Sequence, residues 1–272
     1  MKKSMHILLI ALNSFIVSAQ YTESAAEKYL KFHAGYQKRM LLDEQKSALT
    51  YSSGEITGGL SFTRNASASI MIISLDAGFG NFLPKNPNER WSFTTSYDIE
   101  GKAETDSFLL TSGIISAKFQ LSYLRKFNTG NQTTWLTGAS AKEILIYPDN
   151  YTGLLNSIGI HLNVGMLQNI GNRNRFQVNV SFPVLSINTR LPWHNTVTSP
   201  LDPEITAFFK KGTRIVSLNK FRMLELSIDY TLTLSRHWGI GASYEFSWLN
   251  VPYYQPMKSF MNTARIQTVI KF

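Results

Sequence analysis

Along most of this chain apolar and polar residues alternate one by one. Successive side chains of a strand point to opposite faces, so a period of two predicts strands. The longest case runs from Met223 to Leu234. Leu224, Leu226, Ile228, Tyr230, Leu232 and Leu234 share one face, and Met223, Glu225, Ser227, Asp229, Thr231 and Thr233 share the other. After Ser235–His237 the rhythm resumes, with Trp238, Ile240, Ala242, Tyr244, Phe246 and Trp248 set against Gly239, Gly241, Ser243, Glu245 and Ser247. Eleven such runs start at Tyr29, Ala48, Ser67, Trp91, Ser107, Gln132, Asn156, Arg175, Met223, Trp238 and Phe260. Short Asn- and Gly-rich turns are expected at Asn128–Asn131 and Asn169–Asn174, with another at Ser235–His237. Longer links fall at Asn81–Arg90, Pro148–Gly153, Asn188–Lys220 and Asn250–Lys258. The largest holds Pro192, Pro200 and Pro203, and a short helical turn is expected near Glu204–Lys210.

The first residues follow a different pattern. Lys2 and Lys3 precede an apolar run from Ile7 to Val17, and small residues follow at Ser18 and Ala19. This reads as a secretory signal peptide, residues 1–19, cleaved after Ala19. The remainder, residues 20–272, shows no composition break and is one domain. No later apolar stretch approaches the roughly 20 residues of a spanning helix. The chain has no cysteine, which excludes disulfide frameworks, thiolate metal sites and thiol catalysis.

Composition then decides what kind of strand protein this is. Charged residues make up only 17% of the chain. The polar faces carry mostly Ser, Thr, Gly, Asn and Gln, which suits a confined wet interior better than a water-facing sheet. The run from Leu224 to Leu234 matches the ~9–11 residues of a tilted membrane strand. Trp91, Tyr123, Trp135, Trp238 and Trp248 lie near the ends of apolar faces, where amphipathic rings meet headgroups. In lipid the backbone must satisfy its own hydrogen bonds, which for strands requires closure. The expected fold is therefore all-β, a closed antiparallel transmembrane β-barrel.

The last run ends the chain. Ala264, Ile266, Thr268, Ile270 and Phe272 share one face, and Phe272 is terminal. This resembles the closing strand of bacterial outer-membrane β-barrel proteins, which end in an aromatic residue preceded by alternating apolar positions. The resemblance covers signal peptide, strand rhythm and terminus. It implies location in the bacterial outer membrane, contact with outer-membrane lipid and lipopolysaccharide, and recognition by the barrel assembly machinery. Single-chain bacterial barrels have an even number of strands. Eleven runs thus imply one missed or miscut, and about twelve strands are expected, with ten or fourteen as alternatives. A split of Ala48–Arg64 at Ser53–Gly54 supplies the twelfth more readily than Thr213–Leu218, which would reverse the side of every upstream turn. With Phe272 on the periplasmic side, the short turns fall there and the long links fall outside.

Closure sets the first strand beside the last. Lys31, His33 and Arg39 then lie near Arg265, Gln267 and Lys271, while Glu225, Asp229 and Glu245 point the same way from the preceding hairpin. The candidate lumen-lining residues are Lys31, His33, Arg39, Glu225, Asp229, Glu245, Arg265 and Lys271. They form a basic sector beside an acidic one, or else structural ion pairs such as Glu245 with Arg265. The expected function is a porin-like channel for small solutes. The alternative is a scaffold docking a surface or secretion partner through residues 188–220, and a barrel enzyme acting on envelope lipids comes third. His33 (with Ser52 or Ser53 near), His161, His194 with Asp202, and His237 form no catalytic pattern, and the histidines show no metal spacing. The expectation is a non-enzyme with no cofactor, no metal and no nucleic-acid partner. Lys210, Lys211, Arg214, Lys220 and Arg222 cluster at the base of the long link and can meet acidic groups.

Overall fold

Period-two patterning becomes thirteen strands in a computed structural model of the chain, which describes residues 26–43, 50–83, 91–97, 103–108, 113–128, 133–148, 155–190, 212–253 and 257–272. The strands are β1 (Glu27–Asp43), β2 (Thr50–Asn65), β3 (Ser69–Leu83), β4 (Trp91–Tyr97), β5 (Ala103–Phe108), β6 (Gly113–Asn128) and β7 (Thr133–Pro148). They continue with β8 (Leu155–Ile170), β9 (Asn174–Arg190), β10 (Thr213–Ser217), β11 (Arg222–Thr233), β12 (Trp238–Val251) and β13 (Met257–Lys271). The leader 1–19, the helical turn near Glu204–Lys210, His194, Asp202, Lys210 and Lys211 lie outside the described residues.

Among the described residues, one sheet runs β9-β11-β12-β13-β1-β2-β3-β6-β7-β8 and closes where β8 pairs with β9. Every pairing is antiparallel. The ring has ten strands, and β10 is an eleventh member on the edge of β9. The preferred count of twelve is thereby corrected to the alternative of ten. The run from Trp91 leaves the barrel and pairs with β5 in a separate two-stranded sheet. The split at Ser53–Gly54 does not exist, because β2 pairs without interruption with β1 and β3 across those residues.

Thr213–Leu218 does form a strand, yet it reverses nothing. β9 pairs with β11 from Asn174 to Ser181 and with β10 from Leu185 to Thr189. Both partners run antiparallel to β9, so β10 and β11 are one wall position interrupted by a turn. The amides of Lys220 and Phe221 both donate to the Ser217 carbonyl at 2.9 Å and hold that turn. Pro183, which cannot donate to a ladder, sits at the interruption, where the β8–β9 register also shifts at Ile160/His161. The bulge changes which parity faces out, so Leu185 and Ile187 are exposed while Ser186 and Asn188 are buried.

Elsewhere the apolar parity faces outward. Ile56, Phe79, Ile158, Ile240 and Ile266 are all exposed, Ile266 to 74%. The opposite parity is inside: Glu55, Thr57, Ser61, Ser122, Asn163 and Thr263 are buried. Water-soluble folds arrange the two classes the other way round. A greasy exterior over a polar interior is the arrangement a bilayer requires. Exposed Trp135 and Trp238 stand at the rim where β6–β7 and β11–β12 connect. Both chain ends of the ring, Glu27 and Phe272, lie at this same rim, where the Phe272 amide donates to the Lys28 carbonyl. It also carries the β2–β3 and β8–β9 turns, and Gly171 takes the left-handed φ of 64° that the latter needs. The long links β1–β2, β3–β6, β7–β8, β9–β11 and β12–β13 share the other rim. We call these the turn side and the loop side.

Candidate functional site

The ring encloses a polar lumen whose walls carry the charged residues that strand parity turned inward. Mid-barrel, these charges alternate in sign across the interior. Lys142 on β7 donates to Glu225 on β11 and, at 2.8 Å, to the Ser181 hydroxyl on β9. Glu225 lies 3.6 Å from Lys118 on β6, and Lys118 donates to Glu245 on β12 at 2.5 Å. Glu245 accepts from Arg265 on β13 at 3.0 Å, and Arg265 lies 3.7 Å from Asp76 on β3. Asp76 also bonds His33 Nε2 on β1 at 2.5 Å. Strands β6 and β12 are diametrically opposed in the ring. The Lys118–Glu245 pair therefore bridges the full width of the lumen. The row forms a charged septum made entirely of side chains. Gly59 makes room for it, since a Cβ there would sit 2.6 Å from His33 Nε2 and 2.9 Å from Asp76 Oδ1.

Cavities lie on both sides. The turn-side vestibule has a volume of about 190 Å³ and a smaller loop-side cavity about 60 Å³. Asp76, Lys118, Glu225, Glu245 and Arg265 line both, so the septum is the wall between them. The smaller cavity is walled on its loop side by an apolar cluster that includes Ile114, Ile146, Leu155, Phe221, Met223 and Val251. Phe221 enters it from the turn between β10 and β11 and is 1% exposed. This plug was not expected. Alternation alone assigned the inward parity to polar residues, yet at the loop-side ends of the strands that parity carries Ile144, Met223 and Leu249.

A second polar knot sits on the loop side of the septum. Glu55 is fully buried and accepts from Arg39 Nε (3.0 Å), Gln37 (2.7 Å), Ser53 (3.0 Å) and Ser116 (2.7 Å). Four donors meet its two oxygens, which offsets the cost of burying a polar group.

The eight candidate lumen residues can now be placed. Lys31 donates to Asp229 at 2.9 Å, and Gln267 donates to the same carboxylate at 2.6 Å. Arg39 is on Glu55, His33 on Asp76, and Arg265 and Glu245 on each other. Glu225 holds Lys142, while Lys271 donates to Thr233 at 2.8 Å. Apart from Lys271, the structure thus brings these residues together with opposite charges pair by pair, where separate basic and acidic sectors were one expectation. Asp76, Lys118, Lys142 and Glu55 were not singled out, and His161 was weighed only as a catalytic base. Their signal was available: each is a charged or imidazole side chain in mid-run, on a face otherwise made of small neutral residues.

His33 faces Gly59 across β1–β2 and is not beside Ser52 or Ser53. His161 is buried, with Nδ1 3.5 Å from the Ser181 hydroxyl. Ser181, His161 and Lys142 are close, and Lys142 donates both to Ser181 and to Glu225. Among the described residues no group of His, Asp and Glu is arranged to hold a metal ion. Arg214, Lys220 and Arg222 are exposed.

No protein-family model matches this sequence, and no curated protein matches it. Solved structures do match. The outer membrane protease OmpT from Escherichia coli covers 93% of this chain and 99% of its own length at 5% identity, with a TM-score of 0.50. The translocator domain of the autotransporter NalP from Neisseria meningitidis covers 100% and 98% at 8% identity, with a TM-score of 0.37. An outer membrane channel from Pseudomonas putida F1 covers 93% and 98% at 6% identity, with a TM-score of 0.42. The first corrects one expectation: this barrel architecture is shared with a protease, so the exclusion of enzymatic activity is withdrawn, while 5% identity transfers none of that protease's chemistry. Ten closed strands, an apolar exterior and this likeness give the chain the fold of the bacterial outer-membrane β-barrel proteins and place it in the bacterial outer membrane.

Proposed function

We propose that the barrel is a small-solute channel held closed by side chains. One observation carries the reading. Two cavities lie on a common axis, and the same five charged side chains wall them apart. Among the described residues no strand or helix crosses the lumen. Both obstructions, septum and plug, consist of groups that change rotamer without unfolding the wall. An apolar constriction such as the Phe221 cluster blocks ions by excluding water, and a paired septum holds its charges away from passing solute.

Planar-bilayer recording tests the proposal. Wild-type protein is expected to show rare, brief openings. Replacing Phe221 by Ala together with Lys118 and Glu245 by Ser is expected to raise the open time at least about tenfold, because removing both partners of a pair leaves no orphan charge. If the folded wild type never opens at any applied voltage while the triple variant conducts, the native barrel is a plugged scaffold and the channel reading is wrong.

A further inference from the structure

The septum is charge-balanced, but the vestibule beneath it is not. Lys118, Lys142 and Arg265 face Glu225, Glu245 and Asp76, and Lys31 is matched by Asp229. Two further cations line the vestibule, Arg175 on β9 and Lys271 on β13. Their hydrogen bonds go to neutral oxygens, Arg175 to the Tyr29 hydroxyl at 3.1 Å and Lys271 to Thr233 at 2.8 Å. Both heads lie over the same Tyr29 ring, at 5.5 and 5.8 Å from its centroid. One aromatic thus brings two cations together at the vestibule mouth. One carboxylate, Glu27, lies within electrostatic reach of both cations, but it accepts from Tyr29 and from Asn65 at 3.1 Å, does not line the cavity, and leaves two cations to one anion.

The rim outside repeats the imbalance. Arg64 and Arg125 stand at the strand ends next to two of the turns, Arg173 and Arg236 lie in the other two, and Lys28 is near the start of β1. Among the described residues Glu27 is the only acidic side chain at this rim. A low-dielectric cleft ringed by one sign of charge concentrates ions of the other sign at its mouth. Inside, Gln120, Gln177 and Asn179 add neutral polar groups to the wall, and about 190 Å³ accommodates a phosphate-sized ion with part of its water.

We infer that the turn-side vestibule is a binding site for a small oxyanion, a phosphate or carboxylate group, held between Arg175 and Lys271 and steered there by the basic rim. The site stands whether or not the barrel conducts. The same group arrives either as a free ion or on a lipid headgroup.

Inorganic phosphate is the probe, titrated by calorimetry into purified barrel in a non-ionic detergent and phosphate-free buffer. Saturable one-to-one binding is expected. R175Q/K271Q is expected to weaken it at least about tenfold, since charge-assisted bonds are the strong ones. The rim variant R125Q/R236Q is expected to weaken it less and to flatten its salt dependence. Heat-modifiable gel mobility confirms that each variant is folded. Absence of saturable binding to the folded wild type overturns the proposal, and so does equal binding by folded R175Q/K271Q. Repeating the titration in nanodiscs separates the sources. Loss of phosphate binding on adding phosphatidylglycerol to phosphatidylcholine identifies a headgroup as the occupant, and unchanged binding identifies the free ion. A barrel that binds phosphate but never opens keeps this site and loses the channel, while one that conducts without binding does the reverse.

Discussion

Glu245 is the residue on which the septum turns. It is buried, and its two oxygens take Lys118 from one wall and Arg265 from the neighbouring strand. Glu245→Ala leaves two buried cations short of a partner, and breaking a buried pair from one side costs about 3–5 kcal/mol. Urea unfolding of the barrel in detergent is expected to show that loss, and E245A/K118A is expected to recover part of it. At this scale parity was legible, because a period of two assigns every side chain to one face or the other. Lys31, Asp229, Glu245 and Arg265 share the polar parity of their strands and line the vestibule. The choice of partner was not legible. Lys118 and Glu245 are 127 residues apart in sequence and five strands apart in the ring, and only closure brings them together.

Elements show where alternation is read correctly and where it misleads. Ile266 faces outward at 74% exposure, midway along β13. On a water-facing sheet Ile266→Arg is nearly neutral, since surface changes usually fall within about 0.5 kcal/mol. On a bilayer-facing strand it costs about 2–4 kcal/mol near the midplane. Unfolding in lipid vesicles is expected to give the larger value. The β9–β10–β11 region was harder to read. Pro183 and the shifted register interrupt the ladder, parity changes beyond them, and one wall position is built from two strands joined by a turn. A run of five residues such as β10 shows the same period whether it closes a ring or extends its rim. The hairpin β4–β5 poses a similar problem, since its alternation does not say which sheet it joins.

For the whole molecule, sidedness is the property with most consequence. All four turns and both ring termini share one rim, and the opposite rim carries five links. If the turn side is periplasmic, a basic rim and an oxyanion site face the cell interior, and the apolar plug faces outward. The chain has no cysteine, so single cysteines report position cleanly. In intact cells, Arg222→Cys is expected to react with a membrane-impermeant maleimide and Arg236→Cys to react only after the outer membrane is broken. The opposite labelling would invert the barrel and the direction assigned to its vestibule.

By itself the sequence determined the class of fold. An apolar–polar period of two and few charges on the polar face leave a closed membrane barrel as the arrangement that satisfies both side chains and backbone in lipid. These are local properties, set by neighbours in the chain. Strand number, the charged septum, the Phe221 plug and the convergence of Arg175 and Lys271 on Tyr29 were decided only by tertiary structure. Each depends on which strands become neighbours and at what register. That choice is made when the ring closes, by contacts between residues far apart in sequence.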